Sequence, residues 1–328
     1  MPANLPPPYF EAEKRYREGR TPEEKIEALE DMLTIMPKHK GTDKLRADLR
    51  RRIAKHKSDS RERKGAGKRE SAYNIDKEGA AQAIVIGPPN TGKSSLVAVL
   101  TNARPEIADF PHSTWSPTPG MALFENIQFQ LVDTPPVPTE FADPGFADLL
   151  RRTDIIVVLI DIQGDPLQHL EDTIVYLAGL RIFPSGVPIP PDLSKRPFVK
   201  KVLVAVNKVD DPSAEEDYRA FLELSEMPLA YIPVSVLHGW NLSAFLRKLY
   251  DIADVIRVYT KSPGKEPDLK SPFVLSARST LEDLATEIHK DFVTKLKFAK
   301  VWGKEVFGGQ MVQRDYVLKD GDVVEIHI

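Results

Sequence analysis

At 328 residues with 41% hydrophobic content, the chain is long enough for two or three domains with real cores. It has no cysteine, which excludes disulfides and cysteine-ligated zinc and fits a reducing cytoplasm; its longest purely apolar run, residues 155–160 (IIVVLI), is far too short for a membrane span. The net charge of −3 hides an asymmetry, because residues 38–69 hold fourteen Lys and Arg against four Asp and Glu, a balance of +10 that leaves about −13 on the rest.

The opening MPANLPPPYF is proline-rich and uncharged, and shows no n-region followed by an h-region. Residues 1–70 then read as a basic helical hairpin and linker. Thr21-Pro22-Glu23-Glu24 fits a capping box with proline at the first helical position, and Ile26, Leu29, Leu33 and Met36 recur at helical spacing. Pro37 ends that helix. A second helix carries Leu45, Leu49 and Ile53 on one stripe, with Arg46, Arg50 and Arg51 largely off it. Residues 57–70 hold no apolar residue except Ala66 and read as a linker.

Residues 71–260 change rhythm. Short β-branched runs (AQAIVIG, IQFQLVD, DIIVVLIDI, KKVLVAVNK, LAYIPVS) alternate with helical patterns near 94–102, 144–152, 167–180, 213–226 and 241–257. Such alternation predicts an α/β domain, a mostly parallel sheet with helices on both faces. After the first strand comes Gly87, Pro88, Pro89, Asn90, Thr91, Gly92, Lys93, Ser94, which satisfies G-x-x-x-x-G-K-[ST] and opens a helix at Ser94 and Ser95. The glycines let the loop curl so that amide N–H groups face phosphate oxygens, and the helix N-terminus adds positive potential. Lys93 is placed to bridge the β- and γ-phosphates, and Ser94 to put its hydroxyl on Mg²⁺. Residues 121–124 and 127–132 pair across Glu125-Asn126 as a hairpin, giving the sheet one antiparallel edge. That hairpin delivers Asp133, whose carboxylate could hold Mg²⁺ through water.

Asn207, Lys208 and Asp210 follow the apolar strand VLVAV. An aspartate there can accept both the N1–H and the 2-amino group of guanine, a donor pair that adenine lacks. The lysine stem can cover the base plane, and Ser235, Val236 and Leu237 close the site at the end of the next strand. The reading is a guanine-nucleotide site for GTP or GDP. Residues 261–272 (KSPGKEPDLKSP) read as a linker, and the tail from Pro272 as a small α+β unit with a helix capped by Thr280 and Asp283. Phe298 and Trp302 read as core of that unit rather than as a base-stacking platform.

These motifs together resemble the Obg and developmentally regulated GTP-binding (DRG) branch of translation-factor-type GTPases. Phe110-Pro-His-Ser-Thr114-Trp-Ser-Pro-Thr-Pro-Gly120 resembles that branch's Tyr-x-Phe-Thr-Thr-Leu…Pro-Gly switch segment. The tail, with IHKDF, KFAKVWG and VLKDGDVVEI, resembles the TGS domain, a β-grasp module. The resemblance covers residues 72–328 and implies a P-loop GTPase domain followed, in residues 261–328, by a linker and TGS domain. It also implies a cytoplasmic GTP phosphohydrolase that acts on or near ribosomes, with the ribosome or its RNA met through residues 38–69 and the TGS domain.

By that resemblance Thr114 is the switch threonine that closes over Mg²⁺ and the γ-phosphate, with Thr118 as its rival. Asn90 matches an asparagine that helps hold K⁺ against the phosphates, and loop geometry alone is the alternative reason for it. The catalytic candidates are therefore Lys93, Thr114 and Asn90, and the metal ligands Ser94, Thr114 and Asp133. The family's Asp-x-Pro-Gly is here Asp133-Thr134-Pro135-Pro136, and Val137 stands where many GTPases carry a water-orienting glutamine, although hydrophobic residues are usual there in this branch. Proline has no N–H to give the γ-phosphate. Slow hydrolysis is expected, and a GTP/GDP-binding scaffold without turnover is the alternative. A nucleotide kinase or ATPase on the same loop lacks support, since Asp210 favours guanine. His112 and His238 read as loop fillers, because phosphoryl transfer needs positioning more than proton chemistry.

Overall fold

The computed structural model describes residues 7–18, 22–36, 49, 51–53, 73–101, 117–137 and 144–327. The chain divides into two compact units, Met1–Ala72 and Tyr73–Ile328.

In the first unit, helices α1 (Pro7–Glu18) and α2 (Pro22–Ile35) bury Tyr9, Ala12, Leu29, Met32 and Met36 together with Leu49 and Ile53. Of the apolar positions predicted for α2 and the following helix, Leu29, Leu33, Met36, Leu49 and Ile53 share this small core. Helix α1 is an addition to the expectation: Pro7 and Pro8 fall in its first turn, where the missing N–H costs nothing. Thr21, Pro37 and most of the basic stretch lie outside the described residues.

The second unit is built on two sheets. The first contains β1 (Gln82–Ile86), β2 (Thr118–Phe124), β3 (Ile127–Asp133), β4 (Ile155–Asp161), β5 (Ile182–Pro184), β6 (Phe198–Asn207) and β7 (Ala230–Pro233), in the order β2-β3-β1-β4-β6-β5 with β7 also on β6. All its pairings are parallel except β2 with β3, whose seven-residue register runs from Thr118 opposite Asp133 to Phe124 opposite Ile127. This is the predicted antiparallel edge. Glu125, at the first turn position, takes a positive φ of 52°.

Helices α3 (Lys93–Leu100), α4 (Pro144–Arg152), α5 (Pro166–Gly179), α6 (Pro212–Leu224) and α7 (Leu242–Ala253) flank the sheet. Strands β1 and β4 are buried on both faces, which is why they read as unbroken apolar runs rather than alternating ones. One core packs Val85, Leu96, Leu131, Val157 and Phe245; the other packs Ile84, Val132, Leu149, Ile156 and Val206. Parallel pairing in register sends the ends of β1, β3, β4 and β6 to the same edge of the sheet, so their loops meet there.

The second sheet has the order β11-β10-β12-β8-β9, from β8 (Val255–Thr260), β9 (Phe273–Ser276), β10 (Phe298–Trp302), β11 (Gln310–Val312) and β12 (Val323–His327). Helices α8 (Leu281–Ile288) and α9 (Lys290–Lys295) accompany it, and the Thr280–Asp283 capping box forms as predicted. Two expectations need correction. The helix predicted to 257 ends at Ala253, because Asp254 turns left-handed (φ 58°, ψ 48°), and VIRVYT leaves as β8 in the second sheet. Phe298 and Trp302 are not core. They lie on the sheet face opposite Ala299 and Val301, where Phe298 stacks on His327 at 4.5 Å and Lys261 sits 4.1 Å from the Trp302 ring centroid.

Candidate functional site

The loop between β1 and α3 curls because two glycines allow it. Gly87 has φ 146°, and a Cβ there would lie 2.1 Å from the Leu159 carbonyl oxygen of β4. Gly92 has φ 95° and faces Asn207, whose Nδ2 would be 2.5 Å from such a Cβ. Either side chain would push the loop off its neighbours. Asn90 is exposed and left-handed (φ 63°), so loop geometry already accounts for an asparagine there.

Lys93 is buried, with its Nζ donating to the Pro88 carbonyl at 2.7 Å, and the Thr91 hydroxyl donates to the same oxygen at 3.1 Å. Burial pushes the Lys93 ammonium down to about 8, opposed by Asp133. Ser94 donates its hydroxyl to Asp133 Oδ2 at 2.7 Å. Burial pushes the Asp133 carboxyl up, while Ser94, Lys93 and the Thr134 N–H pull it back. Asp133 Oδ1 is buried without a hydrogen-bond partner. A buried orphan carboxylate oxygen beside a serine hydroxyl is a donor set suited to a hard, water-carrying cation such as Mg²⁺. The desolvated Lys93 gains most from a polyanion. The residues therefore fit a metal-bound phosphate chain.

The segment after Asp133 is fixed in a way that no sequence pattern reports. Thr134 donates its hydroxyl to Val85 O at 2.7 Å. Pro135 and Pro136 have no N–H. The Val137 N–H donates to Gly87 O at 3.0 Å, and the Val137 side chain is fully buried against the core that holds Val132 and Leu149. Residue 137 thus faces inward and is tied to the start of the phosphate loop.

At the other side of the site Asn207 joins two loops. Its Nδ2 donates to Thr91 O at 2.8 Å, and its Oδ1 accepts the Val236 N–H at 3.0 Å. Lys208, left-handed with φ 66°, is paired with Asp161 at the end of β4. Asp210 accepts the Ser235 hydroxyl, and the His238 N–H donates to that same Ser235 oxygen at 3.1 Å. Leu237 is 79% exposed. Gly87 to Ser95, Asp133, Asn207, Asp210, Ser235 and Val236 all lie at the one sheet edge where parallel register gathers the loops. Thr114 lies outside the described residues, as does the switch segment up to residue 116. Thr118 opens β2 directly opposite Asp133. A cleft of about 660 Å³ at the second sheet, lined among others by Lys261, Ile288, Phe292 and His327, includes none of these residues.

Residues 82–182 match the family model described as 50S ribosome-binding GTPase, and residues 256–328 match the TGS domain. The chain is 30% identical to a GTP-binding protein of Methanocaldococcus jannaschii, with 93% of each chain covered. It is 27% identical to developmentally-regulated GTP-binding protein 1 of Xenopus laevis, over 88% of this chain and 92% of that one. To ribosome-interacting GTPase 1 of Saccharomyces cerevisiae it is 25% identical, over 92% and 98%. The solved structure of the Schizosaccharomyces pombe YchF GTPase shares the fold alone: TM-score 0.51 at 12% identity, over 77% of this chain and 99% of that one.

Proposed function

The chain belongs to the family of developmentally regulated GTP-binding proteins, and from that premise we propose that it is a slow GTPase switch that works at the ribosome in the cytoplasm. One observation carries the proposal: a buried lysine, an orphaned carboxylate oxygen beside a serine hydroxyl, and an aspartate held by Ser235 converge on one sheet edge. Phosphates would lie against the amide N–H groups of Asn90–Ser95 and the Lys93 ammonium, and Ser94, Asp133 and Thr114 would hold the ion. When bound, Mg²⁺ neutralises charge that develops on the β- and γ-phosphate oxygens. Asp210 reads the guanine edge, Lys208 covers the base, and Asn207 keeps both loops in register. Nucleotide chemistry belongs to residues 71–260, with β8 the strand shared with the TGS module of residues 261–328.

Slowness follows from the segment after Asp133. No N–H of Pro135, Pro136 or Val137 is free for the γ-phosphate, and Val137 cannot orient water from inside a core. Charge stabilisation then falls to Lys93 and the metal, with K⁺ at Asn90 as a further ion and the ribosome as activating partner. The Saccharomyces relative's name and the matched family's description both point to the ribosome. The +10 balance of residues 38–69 supplies the electrostatics for holding RNA phosphates. No helix among the described residues is long and apolar enough to cross a membrane.

The test is GTP turnover by the full chain with and without ribosomes, in K⁺ and in Na⁺. Ribosomes are expected to raise the rate by about tenfold or more, and K⁺ to raise it further. Removing residues 1–70 should weaken ribosome association and flatten its dependence on salt. The same pinned segment favours a second reading, a GTP/GDP-binding scaffold. Equal affinities for the two nucleotides with no turnover under any of these conditions would select it.

A further inference from the structure

Hairpin β2–β3 is a rod with two very different ends. One end is at the site, where Thr118 stands opposite Asp133. The other, about 20 Å away at strand rise, is the turn Glu125-Asn126, and it is seized by the second sheet. Arg257 of β8 pairs with Glu125 while its guanidinium also donates to Asp320, from Nη2 at 3.0 Å and Nε at 3.1 Å. Its backbone is fixed as well: its N–H donates to Asp320 Oδ1 at 2.8 Å, and its carbonyl accepts from Gly321 at 2.8 Å. The Arg257 side chain is only 13% exposed.

Other groups complete the clamp. Arg247 lies 3.5 Å from Glu125 and 5.8 Å from the Phe124 ring centroid. Tyr250, 5.5 Å from Phe124, donates its hydroxyl to Asp320 at 2.6 Å, and Arg257 lies over the Tyr250 ring at 4.9 Å. Asn126 Nδ2 donates to the Tyr259 hydroxyl at 2.9 Å and to Leu269 O at 3.1 Å. An arginine shared between two carboxylates at low exposure is a rigid fork that lysine cannot reproduce.

We infer that Arg257 is a positioning residue for the nucleotide site, acting through hairpin β2–β3. By holding the far end of the rod it presets Thr118 and Asp133, so a triphosphate with its metal need not order them on binding. Coupling of this kind is reciprocal, so the triphosphate must in turn tighten the second sheet's grip on the turn. The inference rests on the proposed guanine-nucleotide site.

The experiment compares GTP·Mg²⁺ and GDP affinities of the full chain with those of Glu125→Gln, Arg257→Lys and Arg257→Ala. Loss of the clamp is expected to weaken GTP·Mg²⁺ about tenfold and GDP less than threefold, with Arg257→Lys intermediate. Hydrogen exchange of β8 amides should slow on adding GTP·Mg²⁺ to the native chain and respond less in the variants. Should Arg257→Ala fail to fold, Glu125→Gln gives the same reading from a half-exposed turn position. A GTP-to-GDP ratio unchanged within twofold in folded variants overturns the positioning role, whatever their thermal stability. A native chain that binds neither nucleotide overturns the site itself, and the inference with it.

Discussion

Replacing Asp210 with asparagine is expected to lower GTP affinity by about 100-fold or more and to turn the site toward xanthosine triphosphate. On the proposed reading the carboxylate accepts two donors of the guanine edge, N1–H and the 2-amino group. An amide offers an N–H where one of those acceptors was, so donor meets donor. Losing charge-assisted bonds and leaving a polar group unpaired costs on the order of 3 kcal/mol. Xanthine carries a carbonyl at that carbon and can accept from the new amide. The Ser235 hydroxyl that now donates to Asp210 can still donate to the asparagine oxygen, so the side chain keeps its orientation. Titrations with GTP, XTP and ATP decide the matter; GTP affinity within threefold of the native value would mean that Asp210 does not read the base.

The second large effect is expected at Pro136. Substituting glycine returns an N–H to the position where the triphosphate's outermost group approaches, and preference for GTP over GDP should rise roughly 10- to 100-fold, the worth of one charge-assisted hydrogen bond. Neighbours cannot supply that donor. Pro135 has none, and the Val137 N–H is spent on Gly87. Glycine's added freedom works against the gain. Pro136→Ala controls for this, because it brings the same N–H with a stiffer backbone. Agreement between the two variants traces the change to the donor, while an unchanged affinity ratio in both would show that the loop never approaches the phosphate.

Much of this was legible from residues alone. Strands β1 and β4 and the second half of β6 announce themselves because burial on both faces demands continuous apolar runs, and the phosphate loop because its glycines and lysine have few other uses together. The position of Asp210 just after β6 follows in the same way from the apolar strand before it. What escaped reading was relational. Nothing in VIRVYT says which sheet it joins, so helix α7 appeared to continue through it. Alternation in β10 marks two faces without saying which is covered, and Phe298 and Trp302 were assigned to the wrong one. The Val137–Gly87 bond and the Glu125–Arg257 pair join distant positions through backbone geometry and charge that no local pattern encodes.

The membership of β8 has a practical consequence for anyone dissecting the chain. Severing it after residue 260 would leave Val255–Thr260 attached to the nucleotide-binding half with both lateral partners, β9 and β12, removed. Such a fragment carries an orphan ribbon of β-branched residues with open amides and carbonyls, a template for self-association. A fragment ending at Asp254 carries no such ribbon. Light scattering of the two is expected to separate them, with the shorter one monodisperse and the longer one prone to clump.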